Sequence, residues 1–191
     1  MTVAVGADHR ETARAELAKP HRFAAELVDV AAVFLDALHA EADPRPKPTW
    51  TTILRADTAE LGSRAAANLA ACVRLAWERA APLLTALVDA PAGRVGAGGQ
   101  PAPLLLHDAG VFGRYDGRGL DVLFTLAERA RTRAGGRPLW LLYPTTEPSQ
   151  PPRLDGALVR LVTGSDWVPL PDSWVANLHR AAGDEDALAA S

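Results

Sequence analysis

The sequence predicts an α/β fold, with a small parallel β-sheet and a helical N-terminal half. The main evidence lies in residues 103–144, where an apolar run ends in His107 and Asp108. A glycine-rich turn, an amphipathic helical segment and a second apolar run follow. This order of segments is typical of a β-α-β unit, whose two strands run parallel. The second observation is the helical periodicity of long stretches before residue 90.

The N-terminal region is predicted to be mostly helical. Residues 1–9 are expected to be irregular, and residues 10–41 to form a helix that is broken or bent near Pro20. Five apolar residues recur there at spacings of three and four, which predicts one stripe on a helix: Phe23, Leu27, Val30, Phe34 and Leu38. The favoured interpretation is that this stripe covers the chain's own sheet. The alternative is that it binds a partner protein or a second copy of the chain.

A second helical region is predicted to follow a proline-rich linker at residues 43–50. Asp57 and Glu60 have the spacing of a capping box at its start, and Pro82 is expected to end or kink the helix. Its apolar stripe consists of Leu61, Leu69, Val73 and Trp77. Residues 91–102 are rich in glycine and proline, which predicts a linker between the helical region 1–90 and the α/β region.

The α/β region is predicted to span residues 103–182 and to pack with the helical region as one domain. Its strands are expected near residues 103–107, 139–143 and 157–162, the first two of them parallel. The connecting helix should bury Leu120, Leu123, Phe124 and Ala127 and end at Gly135 and Gly136. A final helix should begin near Asp172, and residues 183–191 form an acidic tail that is expected to fray.

Composition limits the function classes. A formal net charge of −3 argues against a chain that grips nucleic acid over its whole surface, so direct nucleic-acid binding is not predicted. No apolar run approaches the roughly 20 residues that cross a bilayer, and the first residues lack a signal-peptide pattern. The single cysteine, Cys72, excludes an intramolecular disulfide and fits a reducing compartment. A cytoplasmic protein without membrane contact is therefore expected.

The candidate ligand-binding residues follow the predicted strands. Ligands of parallel sheets bind at the carboxyl ends of the strands, where this sequence places His107, Asp108, Thr145 and Thr146. Arg114 and Arg118 come after the first strand and could hold a phosphate or a carboxylate. The alternative for the later arginines, such as Arg129 and Arg133, is a solvated helix face paired with Asp121 and Glu128.

Catalytic chemistry is not predicted for the chain alone. The segments PLLLHD and LWLLYPTT resemble the magnesium-binding and sensor strands of P-loop ATPases, but no Gly-x-x-x-x-Gly-Lys-Ser/Thr loop exists. No Gly-x-Ser-x-Gly elbow surrounds Ser165, and His179 lacks a partner at a defining spacing. No two histidines have the i, i+4 spacing of a helical zinc site. Neither a metal nor another cofactor is therefore expected.

Several phrases of the sequence resemble a known family. HDAGVFGRYDG, PLWLLYP, PPRLDG and WVPLPDSWVANLHR are similar to the C-terminal region of large kinase or ATPase proteins of bacterial anti-phage systems, of the phage growth limitation or BREX type 2 kind. The chain lacks a glycine-rich kinase loop, a His-Arg-Asp loop and a Walker lysine, so no catalytic residue carries over.

The resemblance implies a non-catalytic assembly or regulatory module of a phage-defence system. Its partners would be other proteins of a defence complex, or a second copy of the chain. The alternative is a small nucleotide- or phosphate-binding protein or enzyme that uses His107, Asp108, Arg114 and Thr145 at the strand ends.

Overall fold

The computed structural model describes residues 1–42, 48–60, 62–96, 99–115, 117–133, 136–161, 163 and 166–176. The strands are β1 (Thr2–Gly6), β2 (Glu26–Asp29), β3 (Leu104–His107), β4 (Leu139–Thr145), β5 (Arg153–Leu154), β6 (Ala157–Leu158) and β7 (Trp167–Pro169). The α-helices are α1 (Arg10–Ala18), α2 (Val30–Ala42), α3 (Trp50–Asp57), α4 (Arg64–Asp89), α5 (Arg118–Thr132) and α6 (Asp172–Val175). Single 3₁₀ turns span Ala7–His9 and Ala109–Phe112.

The main sheet has five strands in the order β2-β3-β4-β1-β7, and each of its pairings is parallel. This confirms the predicted α/β class and the parallel pairing of β3 with β4, which α5 connects. Asp29 lies opposite His107, and Gly6 lies opposite Thr145. Because all five strands point the same way, these four residues mark one edge of the sheet, its carboxyl edge.

The sheet is covered on both faces. Helices α2, α4 and α5 pack on one face, around Phe34, Trp77 and Phe112. The ring of Trp77 lies 4.7 Å from that of Phe34 and 5.2 Å from that of Phe112, measured between centroids. Helices α1 and α6 pack on the other face, where Leu17 meets Leu105 and other strand residues. Within the described residues, no helix is both long and apolar enough to cross a membrane.

The N-terminal region differs from the prediction, because residues 1–9 are not irregular. They contain β1, which lies between β4 and β7 with Val3, Ala4 and Val5 buried. A strand that is buried on both faces shows a short apolar run rather than an alternating pattern, so periodicity could not reveal it. The N-terminal half is thus helical in large part but also contributes β1 and β2 to the sheet.

The predicted stripe from Phe23 to Leu38 is not on one helix. Phe23 lies in a turn and Leu27 in β2, and only Val30, Phe34 and Leu38 belong to α2. These three are buried in the chain's own core, as the favoured interpretation expected. The single-helix prediction was wrong because spacings of three and four also arise by chance when a short strand precedes a helix.

The predicted capping box at Asp57 and Glu60 does not start a helix, because Asp57 is the last residue of α3. Thr49 caps α3 by accepting a hydrogen bond from the Thr52 N–H, and Ser63 caps α4 through the Ala66 N–H. Pro82 lies inside α4 on its exposed side and does not end the helix. Residues 43–47 of the predicted linker and Leu61 of the predicted stripe lie outside the described residues.

The predicted third strand at residues 157–162 is not part of the main sheet. Ala157–Leu158 instead pairs antiparallel with β5, and the fifth strand of the main sheet is β7. Asp155 and Gly156 join β5 to β6 with φ of 46° and 83°, as the tight Asp-Gly turn of a hairpin requires. Helix α5 ends at Thr132, close to the predicted end, and α6 begins at Asp172 as predicted, while Gly135 and residues 177–191 lie outside the described part of the chain.

Candidate ligand cleft at the carboxyl edge of the sheet

A cleft of about 640 Å³ opens at the carboxyl edge, beside the ends of β3 and β4. Helix α2, the 3₁₀ turn after β3 and the β5–β6 hairpin form its walls. Its charged lining residues are Arg10, Asp57, Asp108, Arg114, Arg153 and Asp155, and its aromatic ones include Tyr115 and Tyr143. The strand ends thus produce a concave polar site, as the sequence predicted for parallel strands.

Asp108 lies at the centre of one charged group. Its Oδ2 is 2.7 Å from Nδ1 of the buried His107, and its Oδ1 accepts a hydrogen bond of 3.1 Å from Arg10 Nη1. Arg14 Nη1 lies 3.9 Å from Oδ2. The acidic residue after β3 is therefore held by two arginines of α1, which starts on the far side of β4.

A second charged group joins the C-terminal end of α3 to the turn after β3. Arg114 Nη2 donates to Asp57 Oδ2 at 2.8 Å, and the Tyr115 hydroxyl donates to Asp57 Oδ1 at 3.0 Å. Burial raises the pKa of Tyr115 above its ordinary value, and the hydrogen bond to Asp57 raises it further. The Asp57 carboxylate also raises the pKa of Arg114. Asp155 of the hairpin lies 4.0 Å from Arg114 Nη1 and extends the group.

Backbone strain is concentrated at this cleft. Among the described residues, four non-glycine residues have positive φ: Ala24, Asp108, Tyr115 and Asp155. The last three line the cleft. Each such residue costs on the order of 1 kcal/mol or more and persists only where the surrounding structure holds it in place.

Gly113 sets the position of the hairpin that forms one wall. Its own φ of −90° is ordinary, but a Cβ added to it would lie only 1.7 Å from the carbonyl oxygen of Leu154. The turn after β3 can therefore approach the hairpin backbone only because residue 113 has no side chain. Gly110, three residues earlier, has no atom within 4 Å of such a Cβ.

Three carboxylate and imidazole groups come close enough to hold a metal ion. The ligand atoms of Asp29, His107 and Asp108 all lie within 4.8 Å of one another. The prediction of no metal rested on histidine spacing, which cannot detect residues that only the pairing of β2 with β3 brings together. Two features oppose a cation here, namely the two arginines beside Asp108 and the use of Asp29 Oδ1 to cap α2 through the Ala32 N–H.

The remaining predicted ligand residues do not line the cleft. Thr145 ends β4, and its hydroxyl accepts a hydrogen bond from the Glu147 N–H, while Thr146 is exposed on the following turn. Arg118 lies on α5, where its Nη1 is 3.4 Å from Glu78 Oε1. Asp108 and Arg114 therefore line the cleft, and His107 is buried behind Asp108, whereas the two threonines and Arg118 lie outside the cleft.

Arg129 of α5 and Arg133, which directly follows this helix, are paired with a different residue from the predicted ones. Arg129 and Arg133 both bind Asp89 at the end of α4, rather than Asp121 and Glu128. The hydrogen bonds from Arg129 lower the pKa of Asp89. Arg129 and Arg133 therefore link the C-terminal ends of α5 and α4 and do not line the cleft.

The connection from β1 to α1 is too short for a phosphate loop. It consists of the 3₁₀ turn Ala7–His9, and α1 begins at once with Arg10. A phosphate loop needs two glycines and a lysine at defined positions between a strand and a helix. Arg10, a cleft residue that sequence reasoning missed, lies at the position where that loop would end.

The comparisons with known proteins give one informative match. The chain is 44% identical over 164 residues to a relative described as probable kinase PglW, from Streptomyces coelicolor. The match covers 85% of the chain but only 10% of the relative, in its C-terminal part. No family model matches the chain, and no solved structure matches it significantly. The predicted similarity to the C-terminal region of a large protein is thereby confirmed.

Proposed function

We propose that the chain is a non-catalytic assembly or regulatory module of a bacterial phage-defence system, corresponding to the C-terminal part of a PglW-type kinase. The single observation that carries this proposal is the identity with the probable kinase PglW along most of the chain. We extend the proposal to a cytoplasmic location and to a system of the phage growth limitation or BREX type 2 kind.

The geometry of the carboxyl edge supports a role without catalysis. A phosphoryl-transfer site needs a phosphate-binding loop and an acidic residue that is free to hold a metal ion. Here the β1–α1 turn contains neither the glycines nor the lysine of such a loop. The acidic residue after β3 is bonded to His107 and Arg10 instead.

The proposed partners are other proteins of the defence complex or a second copy of the chain. The predicted apolar stripe from Phe23 to Leu38 offers a partner protein little surface, because Val30, Phe34 and Leu38 are buried and Leu27 is its exposed member.

A better candidate for a partner-binding surface is the outer face of α4. Leu83 and Leu87 lie one turn apart there, and both side chains are exposed. Light scattering of the purified chain, compared between wild type and Leu83→Ser, tests self-association.

The defence role is tested in the organism that encodes the chain. An in-frame deletion of the coding region should abolish restriction of the phages that the parent strain restricts, and complementation with the wild-type region should restore it. Efficiency of plating measures both. Plating that is unchanged by the deletion would contradict a role in defence.

The absence of catalysis is tested on the purified chain with radiolabelled ATP and Mg²⁺. We expect neither phosphate release nor transfer to protein above the buffer control. Turnover that is abolished by Asp108→Asn would contradict the non-catalytic assignment, whatever the outcome of the plating assay.

A further inference from the structure

We propose that the cleft at the carboxyl edge binds a nucleoside phosphate, with Arg10 and Arg114 holding the phosphate and Tyr115 contacting the base. This inference goes beyond the proposed defence role and does not depend on it. Binding would be a property of the chain itself, without hydrolysis, and would not use the β1–α1 turn as a phosphate loop.

The first argument is the size and position of the cleft. Its volume of about 640 Å³ lies within the range of roughly 300–1,000 Å³ that is typical of small-molecule sites. One side is apolar, formed by Ala31, Leu35 and Val111, whereas the rim is charged. A ligand that is apolar or aromatic at one end and anionic at the other would match both sides.

The second argument is the convergence of arginines. Arg10 comes from α1, Arg114 from the turn after β3 and Arg153 from the hairpin, and all three line the same cavity. Guanidinium groups bind phosphate through paired hydrogen bonds, and a phosphate offers more acceptor oxygens and more charge than a carboxylate. Three arginines brought together from separate elements provide the donors that a phosphate group needs.

The present ion pairs do not block such a ligand. The side chains of Arg10 and Arg114 are 45% and 49% exposed, and each is paired with one carboxylate or more in the cleft. Exposed pairs of this kind contribute little net stability, so their exchange for a phosphate is cheap. The three carboxylates in the rim would weaken anion binding, so we expect a modest affinity. Added salt should lower it further, because salt screens the attraction between exposed arginines and a phosphate.

The third argument concerns Tyr115, which makes a nucleoside phosphate a better candidate than a bare phosphate. Its ring is 37% exposed at the cleft and is stacked on Phe34, with centroids 6.3 Å apart. The hydroxyl is tied to Asp57, and the backbone is held at a φ of 73°. The guanidinium carbon of Arg114 lies 5.6 Å from the centroid of this ring, so a base that stacks on the ring takes the place of Arg114 as that side chain turns to the phosphate. A ring that is already held in place orders a base at little entropic cost. Strained residues that line a cavity are also typical of ligand sites.

The test is isothermal titration calorimetry of the full chain with adenosine and guanosine mono-, di- and triphosphates, with and without Mg²⁺. Adenosine and inorganic phosphate are the partial ligands. We expect at least one nucleotide to bind about tenfold more tightly than either partial ligand. Arg10→Ala and Arg114→Ala should each weaken that binding by about tenfold or more. Arg131→Ala removes an exposed arginine of α5 outside the cleft and should leave binding unchanged.

Three results would overturn the inference. The first is no nucleotide binding at about 1 mM by a chain whose circular dichroism shows it to be folded. The second is nucleotide binding that Arg10→Ala leaves intact. Arg10 lies on a different element from Arg114, so this variant remains informative even if Arg114→Ala disturbs the region around Asp57. The third is equal binding of inorganic phosphate and nucleotides, which would leave Tyr115 without a role.

Discussion

Gly113→Ala should be among the most damaging single-methyl changes in this chain. The added Cβ would lie 1.7 Å from the Leu154 carbonyl oxygen, whereas ordinary contacts begin at 3.4 Å, so the hairpin must move by about 1.7 Å. Overpacking of this kind costs about 1–3 kcal/mol, and the upper end applies because the clash is with backbone rather than a flexible side chain. For a chain of this length that loss lowers Tm by about 6–12 °C.

Gly110→Ala is the matched control, since it adds the same methyl group to the same turn with no atom within 4 Å. Urea denaturation followed by tryptophan fluorescence should place Gly110→Ala within about 0.5 kcal/mol of the wild type. Equal stability of the two variants would refute the reasoning, because it would mean that the hairpin does not lie against residue 113. The hairpin also carries Arg153 and Asp155, so Gly113→Ala should disturb the cleft as well.

Three further predictions concern the core, a buried ion pair and pH. Trp77→Ala should cost about 3–5 kcal/mol in urea denaturation because Trp77 is buried between Phe34 and Phe112, and a loss under about 1 kcal/mol would contradict that packing. Arg137→Ala should cost about 1–3 kcal/mol because it removes a buried guanidinium that lies 2.8 Å from Glu26 Oε2, while the Glu26 carboxylate keeps its hydrogen bond from the Gly93 N–H. Arg131→Ala, which breaks only an exposed pair, is its control and should cost less than about 1 kcal/mol. Since the pKa of Tyr115 is raised above 10.0, the folded chain keeps the phenolic proton longer than the unfolded chain does. The contribution of Tyr115 to stability is therefore complete below pH 10 and is lost as the pH rises through the higher folded value, and the alkaline limb of a Tm-against-pH curve should be shallower for Tyr115→Phe.

The central β-α-β unit could be predicted because each of its parts carries a local signal. The run before His107 is continuously apolar, α5 has a regular apolar face, and the apolar run of β4 follows a glycine pair. β3 has only four residues, so its strand structure was inferred from the order of segments, in which two apolar runs flank an amphipathic helix. The start of helix α6 was predictable from a local signal as well, because a Pro-Asp pair at residues 171–172 is typical of a first helical turn.

Strands β1 and β2 could not be predicted because their signals are short and ambiguous. β1 has five residues and β2 has four, and Leu27 of β2 stands at helical spacing from Val30 of the next helix. Their strand structure depends on pairing with β4 and β3, which lie more than seventy residues away in the chain. A single sequence does not encode such pairings in any local pattern.

Part of the candidate site was predictable, and the rest depended on tertiary contacts. His107, Asp108 and Arg114 follow a recognisable strand, so their position at the carboxyl edge could be inferred from the order of the segments. Arg10 and Asp57 come from elements that local patterns placed in the helical region, and only the strand order brings them to the same cleft. Thr145 and Thr146 do not line the cleft, because β4 ends beside it and the Thr145 hydroxyl accepts a hydrogen bond from the Glu147 N–H.

If the proposed nucleoside phosphate site is present, the strand order accounts for binding without hydrolysis. β4 lies between β1 and β3, so the start of α1 and the acidic residue after β3 face each other across one strand end. In a P-loop enzyme this arrangement separates a phosphate-binding lysine from a carboxylate that holds magnesium. In this chain Arg10 occupies the first position and bonds directly to Asp108, so the cationic and anionic halves of the site neutralise each other. In the proposed site a ligand replaces the carboxylate at Arg10. Because the described β1–α1 turn contains no phosphate loop and Asp108 is already bonded to Arg10 and His107, binding without turnover is the expected outcome.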